Sequence, residues 1–424
     1  MSSFTPIPPP PVDLQELDSW LGSFTNWEKQ VPLSSDRRNL GPTRCRGLLE
    51  RSDLLCPMGP SIQVAGTKGK GSTILWMETL LRQRGLPTAA MLSPHLSSIR
   101  ERIRIDGSEL TERSLIEGLG NLHPHLCDPA DAENSIPTFF DLWTALFFER
   151  AKNAGDRYLL VEVGMGGPLD STSAIHHDVG ILTTVDLDHR PILGETIPEI
   201  TREKAAISRR GKPFIIADGD HADIAMEVAT SRHAKPILIA DDDRIPSDVL
   251  PPQRRNGACA LAALESLPQI DRWSPIEVKQ AISDLHLPAR LEIINGPPAL
   301  LLDGAHTPLS LKAFVDRFET YRGCSCGTVL IGMLADKQIK LSLAAFTRLD
   351  PPPRIITVTP PSSRALPAGE LSVIFHQMGL EAQPTDSISV GLEWLKKRAA
   401  TSEAVAATGS MYLAGVIRQH WPTG

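Results

Sequence analysis

Residues 66–72 read GTKGKGS, set between the apolar stretch SIQVA and a helix-patterned segment that begins STILWMETLL. Gly66, Gly69 and Gly71 let backbone N–H groups approach phosphate oxygens, and a helix starting there adds partial positive charge. Lys70 can reach the outer phosphates of a nucleotide, and Ser72 can offer its hydroxyl to Mg²⁺. Thr67 and Thr73 belong to the same stretch. The spacing departs from GxxxxGKS, because Gly71 stands between Lys70 and Ser72. The strand–loop–helix context favours nucleotide binding over a turn that holds nothing.

Three more side chains could carry charge chemistry. Glu162 ends the apolar stretch RYLLVE, where a carboxylate is costly unless it is paired or binds a metal. His189 follows a strand in VDLDH, flanked by Asp186 and Asp188; alone, such a histidine reads as a structural residue. Lys204 lies on a helix in REKAAI and alone reads as a surface lysine.

Positioning these groups requires an alternating α/β scaffold. SIQVAG, TAAML, RYLLVEVG, DVGILTTV and PFIIAD are short apolar runs of the kind buried in parallel sheets. Between them lie FFDLWTALFFERAKNAG and TIPEITREKAAISRRG, read as helices, the latter capped by Thr196 and closed by Gly211. This βαβ order predicts a doubly wound, mostly parallel sheet. RRNGACALAALESLP and SPIEVKQAISDL read as purely helical. A second α/β series starts near Leu287, with RLEII, ALLLDGA, TVLIGML and RIITVT as strands. The expected division is a mobile proline-rich tail over 1–12, a nucleotide-binding domain over 13–286 and a smaller α/β domain over 287–424.

With 424 residues, 41% apolar and 22% charged, the chain can bury two sizeable cores. A net charge of −7 argues against nucleic acid or a membrane surface as partner. Cys45, Cys56, Cys127, Cys259, Cys324 and Cys326 are scattered without a CxxC pair, which fits a reduced, cytoplasmic setting. Cys324 and Cys326 read as a turn, not a zinc site. The N-terminus lacks the pattern of a secretory signal, and no apolar run reaches the length of a membrane span.

GTKGKGS is similar to the GTNGKGS loop of folylpolyglutamate synthase/dihydrofolate synthase, a family of the Mur-ligase superfamily, and further blocks follow in the family's order. SPHLSSIRERIRIDG resembles SPHL…ERIRING, PTFFDLWTALFF its TFFE-type helix, and VEVGMGGPLDST resembles EVGLGGRLDATN. LDHRPILGETIPEITREKAAI, LPARLEII, LLDGAHTPLS and TGSMYLAGVIR match four later blocks, so the resemblance runs from about Leu14 to the C-terminus. It implies an ATP-binding Mur-ligase domain, a smaller C-terminal α/β domain, and an active site between them. The implied reaction uses ATP to activate a folate or pteroate carboxylate as an acyl phosphate, which L-glutamate then attacks, releasing ADP and phosphate.

The resemblance also implies roles. Glu162 with Ser72, and His189 with Lys204, become ligands of two Mg²⁺ ions, Lys204 through carboxylation by CO₂. An unmodified ammonium would be repelled there. Asn256, Arg290 and Asp303 contact the nucleotide, Arg290 and His306 join Lys70 and Lys204 in catalysis, and Ser93, Pro94 and His95 lie on the folate side. A monomer acting on small molecules is expected. Lys68, Pro168, Ser173 and Thr307 depart from the commonest pattern. Two alternatives stay open: a Mur-type amide ligase with a different acceptor, and a catalytically silent nucleotide-binding protein.

Overall fold

A computed structural model describes all residues except 1–6, 29–40, 56–58, 129, 132–134, 189, 297, 324, 336–337 and 423–424. His189, Cys56 and Cys324, together with the first half of the expected tail, therefore lie outside the described residues. Two compact units emerge, one from residues up to Ser93 with Arg100–Leu285, the other from Pro94–Ile99 with His286 onward.

The first unit carries an eight-stranded sheet. In chain order its strands are β1 (Ser61–Ala65), β2 (Thr88–Met91), β3 (Ile103–Ile105), β4 (Ser108–Glu109), β5 (Tyr158–Glu162), β6 (Val179–Leu182), β7 (Pro213–Ala217) and β8 (Lys235–Ile239). Their order across the sheet is β4-β3-β2-β5-β1-β6-β7-β8, parallel from β2 to β8. The antiparallel β3–β4 hairpin at one edge turns at Asp106 and Gly107, both with positive φ. Asp-Gly is the dipeptide that a tight hairpin turn favours.

Ile62, Val64, Ile181 and Leu160 form the core of one sheet face with Ile74, Trp76, Met77 and Leu261 from covering helices. The helix Lys70–Gln83 is buried on nearly all sides because the helices Gln253–Glu265 and Pro275–Asp284 cover it in turn. Gly257 permits that approach, since a Cβ there would stand 3.0 Å from the Trp76 ring.

The helix expected to close at Gly211 is shorter, spanning Ile197–Ala205. Gly167 sits so close to the Glu203 and Lys204 carbonyls that a Cβ would collide with the former. Beyond Ala205 the chain folds into turns, Ser208 N–H to Ala205 O at 3.0 Å and Lys212 N–H to Arg209 O at 3.1 Å, which lead into β7. The described part of the proline-rich tail is pinned: Pro8 O accepts from Trp20 Nε1 at 3.0 Å and lies 2.9 Å from His123 Nε2.

The second unit has a six-stranded sheet ordered β13-β12-β11-β14-β10-β9. The strands are β9 (Glu292–Ile294), β10 (Leu300–Leu302), β11 (Thr328–Ile331), β12 (Arg354–Thr357), β13 (Ala382–Pro384) and β14 (Val405–Thr408), with only β9 antiparallel. Side chains alternate between two cores. Leu301, Val329 and Ile331 face one, and Leu300, Leu302 and Leu330 face the other. A sheet covered on both faces gives the continuous apolar runs seen in the sequence. Leu96, from the inserted segment Pro94–Ile99, packs against the second of these cores. Among the described residues no helix is long and apolar enough to cross a membrane. Cys45, Cys127, Cys259 and Cys326 are free thiols.

Candidate active site

The site of the first unit lies at the carboxyl ends of β1, β5 and β6. After β1 the chain turns through Gly66, whose φ of +145° and contact with the Thr183 hydroxyl leave no room for a Cβ. Thr67 N–H donates to Thr184 O at 2.8 Å, and the Thr67 hydroxyl donates to Asp186 O at 3.0 Å. The loop is thereby sewn to the segment after β6. Gly69 caps the helix Lys70–Gln83 in the left-handed region at φ +94°. The Asn256 carboxamide occupies the space where a Cβ of Gly69 would go. Asn256 is held by Gln253 at 3.2 Å, and Gln253 also reaches the Ser72 hydroxyl at 3.5 Å. Gly71 and Ser72 form the buried first turn, where the Thr73 hydroxyl donates to Gly69 O at 2.9 Å.

Gly69→Ala should leave the protein folded but cost about 1–3 kcal/mol of stability through backbone strain. It should also raise the KM for ATP, because Asn256 must move. Thermal melts and ATP titration check this, and an unchanged KM would detach Asn256 and Gly69 from nucleotide binding.

Glu162 ends β5 with its side chain 3% exposed. Lys70 Nζ stands 3.6 Å from its Oε1, and Ser93 N–H donates to its Oε2 at 2.8 Å. Lys204 is buried rather than on the surface, at 4% exposure. Burial, then the nearby charge of Lys70, lowers its pKa from 10.5 to about 7, against the opposing pull of Asp188, Asp170 and Glu203. Two lysines and a carboxylate thus share a poorly solvated region where uncompensated charge is costly.

The loop after β5 supports this group. Asp170, which the sequence reading did not single out, accepts from Met165 N–H at 2.9 Å and Thr172 N–H at 3.0 Å. Burial pushes its pKa up to about 6. Its sequence signals are its place in the VEVGMGGPLDST block and its position two residues before Thr172, a short capping pattern. Among the described residues no group of three or more His, Cys, Asp or Glu side chains is arranged to hold a metal. The hard oxygens of Ser72 and Glu162, both buried, are the kind Mg²⁺ takes alongside phosphate and water.

In the second unit, Arg290 sits between Ala289 and Leu291, both at positive φ, in the turn before β9. Asp303, following β10, holds that turn by accepting from Leu291 N–H at 2.6 Å. Gly304 N–H donates to Ala289 O at 2.9 Å, and His306 Nδ1 lies 3.0 Å from Gly304 O. Arg290, Asp303 and His306 are therefore parts of one tied loop. Pro94 and His95 belong to this unit by packing, whereas Ser93 belongs to the first.

Two of the departing residues serve the scaffold. The Ser173 hydroxyl donates to Gly167 O at 3.1 Å and accepts from Gln63 Nε2 at 3.1 Å. Thr307 precedes the helix Pro308–Arg322, and its N–H donates to the Ser310 hydroxyl at 3.0 Å. Lys68 bridges to Thr184 through its backbone, and nothing in the structure explains Pro168.

A parallel α/β sheet whose first strand feeds a glycine loop, followed along the chain by a second α/β unit, is the arrangement of the Mur-ligase fold. No family model matches the chain. The dihydrofolate synthase/folylpolyglutamate synthase of Escherichia coli is 31% identical over 352 residues, covering 77% of this chain and 78% of that protein. The chain belongs to the folylpolyglutamate synthase/dihydrofolate synthase family. A probable bifunctional folylpolyglutamate synthase/dihydropteroate synthase of Halobacterium salinarum is 27% identical over 421 residues. That alignment covers 91% of this chain, which spans only 50% of that longer relative. Among solved structures, E. coli FolC in complex with DHPP and ADP superposes with a TM-score of 0.81 at 26% identity, covering 97% of this chain and 98% of that one. A bifunctional synthase with Mn, AMPPNP and L-glutamate bound gives 0.81 at 26% identity, covering 97% and 99%.

Proposed function

We infer that this protein is an ATP-dependent, ADP-forming ligase that adds L-glutamate to a folate-type acceptor. The observation that carries this is a group formed by half-buried Lys70 with buried Glu162 and Lys204 beside a glycine loop. Simple nucleotide binding needs the loop but not a second lysine, this one buried. The relatives solved with ADP, AMPPNP, Mn, DHPP and L-glutamate support the substrates.

In this reading an acceptor carboxylate oxygen attacks the γ-phosphorus of ATP. The bond from that phosphorus to the bridging oxygen breaks, and ADP leaves. The free amine of L-glutamate then adds to the acyl carbon, the carbon–oxygen bond to phosphate breaks, and the amine proton passes to solvent as the amide forms. Lys70 neutralises charge that builds on the outer phosphates, and the Gly66–Ser72 amides orient them. Arg290, held by the Asp303-braced turn, supplies a further cation, and His306 a proton-handling group. Pterin contacts are assigned to Ser93, Pro94 and His95. Mg²⁺, when bound, draws charge off the β- and γ-phosphates. Ser72 and Glu162 would hold one ion; His189 and a carboxylated Lys204 would hold a second. The protein is read as a cytoplasmic monomer, and its net charge of −7 accords with partners other than nucleic acid or membrane.

Carboxylation of Lys204 has a physical basis. With a pKa of about 7, much of the side chain is the neutral amine that adds to CO₂, losing one proton to leave a carbamate. Lys204→Ala should cut turnover by roughly 10–100-fold or more, since losing even an outer partner of a metal site costs that much. Acetate should restore part of it; a variant indifferent to small carboxylates would leave Lys204 a structural lysine. The function itself is tested by offering dihydropteroate, tetrahydrofolate and a tetrahydrofolyl-glutamate separately with ATP, Mg²⁺ and L-glutamate. ADP release should depend on at least one of them. Release with none, but with a carboxylate lacking a pterin, would transfer the protein to a different acceptor.

A further inference from the structure

A cavity of roughly 590 Å³ opens in the first unit, lined by His177, Ser208, Arg209, Arg210, Lys212 and Arg232 among others. His177 precedes β6, Lys212 precedes β7, and Arg232 lies just ahead of β8, so the cavity sits at the amino edge of the parallel sheet. The phosphate loop is joined to residues just after β6, at the opposite edge. A strand of this length separates the two by roughly 13–17 Å. None of the residues lining the cavity is acidic, although the chain as a whole is.

Its polar groups are unusually unspent. The Ser208 side chain is 1% exposed and its hydroxyl has no hydrogen-bond partner. Arg209 Nε also has no partner, while its two terminal nitrogens are fixed by His176, Ser173 O and Ile175 O. His177 is 3% exposed. Its Nε2 lies 2.8 Å from Thr172 O, which can only accept, so Nε2 carries the proton and Nδ1 is a bare acceptor without a partner. Burial keeps the ring neutral, with its pKa lowered to about 4. Lys212 is paired with Asp178 at 2.8 Å, and Arg232 Nε donates to Ser208 O at 2.9 Å.

Buried polar atoms without partners are costly and call for one. We propose that this cavity binds a phosphate group, as inorganic phosphate or a phosphomonoester. Arg209 Nε–H and the Ser208 hydroxyl donate to its oxygens, while Arg210 and Arg232 at the rim supply charge. His177 Nδ1 discriminates among anions: near neutral pH inorganic phosphate keeps an O–H that can donate to it, a phosphomonoester keeps one only in its monoanion, and a carboxylate has none.

Calorimetric titration of the full chain with inorganic phosphate, glycerol phosphate and succinate tests this. The parent should bind one or both phosphates, the tighter of the two identifying the source, and succinate at least tenfold more weakly. Arg232→Glu and Ser208→Ala should each weaken phosphate binding, the former roughly tenfold or more, as loss of a bond to a charged group does. Arg232 is exposed but donates to Ser208 O, so a thermal melt of its variant separates lost binding from lost fold. Lys70→Ala should leave this binding unchanged, which separates the cavity from the phosphate loop. Failure of the parent to saturate, equal binding of succinate, or loss in Lys70→Ala but not in Arg232→Glu would overturn the assignment.

Discussion

Lys70→Ala should lower ATP turnover by on the order of 10²–10³ while the protein stays folded. Lys70 begins the helix after the loop, and its ammonium stands 3.6 Å from a carboxylate that is 3% exposed. Little water is available there to replace it, so charge on the transferring phosphoryl group would go uncompensated. The loss has a second part. Lys70 is the charge that most lowers the pKa of Lys204, so without it Lys204 shifts upward toward the ammonium form. Less of the neutral amine is then present at neutral pH, and the bicarbonate needed for full activity should rise. Steady-state ADP formation with a matched thermal melt measures this. Near-parental turnover by a well-folded variant would remove Lys70 from the chemistry.

Glu162→Gln is expected to reduce turnover by roughly a hundredfold or more, the scale of losing a metal's help to developing charge. The amide keeps the shape and can still accept from Ser93 N–H. What disappears is the negative charge that Lys70 and a divalent ion would share. The Mg²⁺ concentration for half-maximal rate should rise along with the fall in rate. If the Mg²⁺ profile of the variant overlays that of the parent, Glu162 is an ion-pair partner of Lys70 and nothing more.

The glycine loop was legible because its demands are local: positive φ, no Cβ, and a strand and helix on either side. Glu162 was legible for a related reason, a carboxylate at the end of an apolar run having few tolerable fates. The alternation of Leu300, Leu301 and Leu302 between two cores likewise lies behind the unbroken apolar strands. Lys204 was not legible from its surroundings in the chain. Its side chain is buried in the folded unit, where Gly167 also approaches the backbone of its helix's last turn, a contact between residues far apart in sequence. That same contact accompanies the early helix end, which the pattern up to Gly211 did not reveal. The β3–β4 hairpin carries a local signal in Asp106–Gly107, the dipeptide a tight hairpin turn favours. Ser173 and Thr307 depart from the commonest family pattern, yet their hydroxyl and backbone bonds tie them to Gly167, Gln63 and Ser310. The change at these two positions is thus accommodated by the scaffold.

The central claim is that phosphate leaves carrying an oxygen that began on the acceptor. An acceptor labelled with heavy oxygen in its reacting carboxylate, incubated with ATP, Mg²⁺ and L-glutamate, tests it most directly. Mass spectrometry of the released phosphate should show one labelled oxygen for each amide formed. Unlabelled phosphate, with the amide still made, would contradict activation through an acyl phosphate.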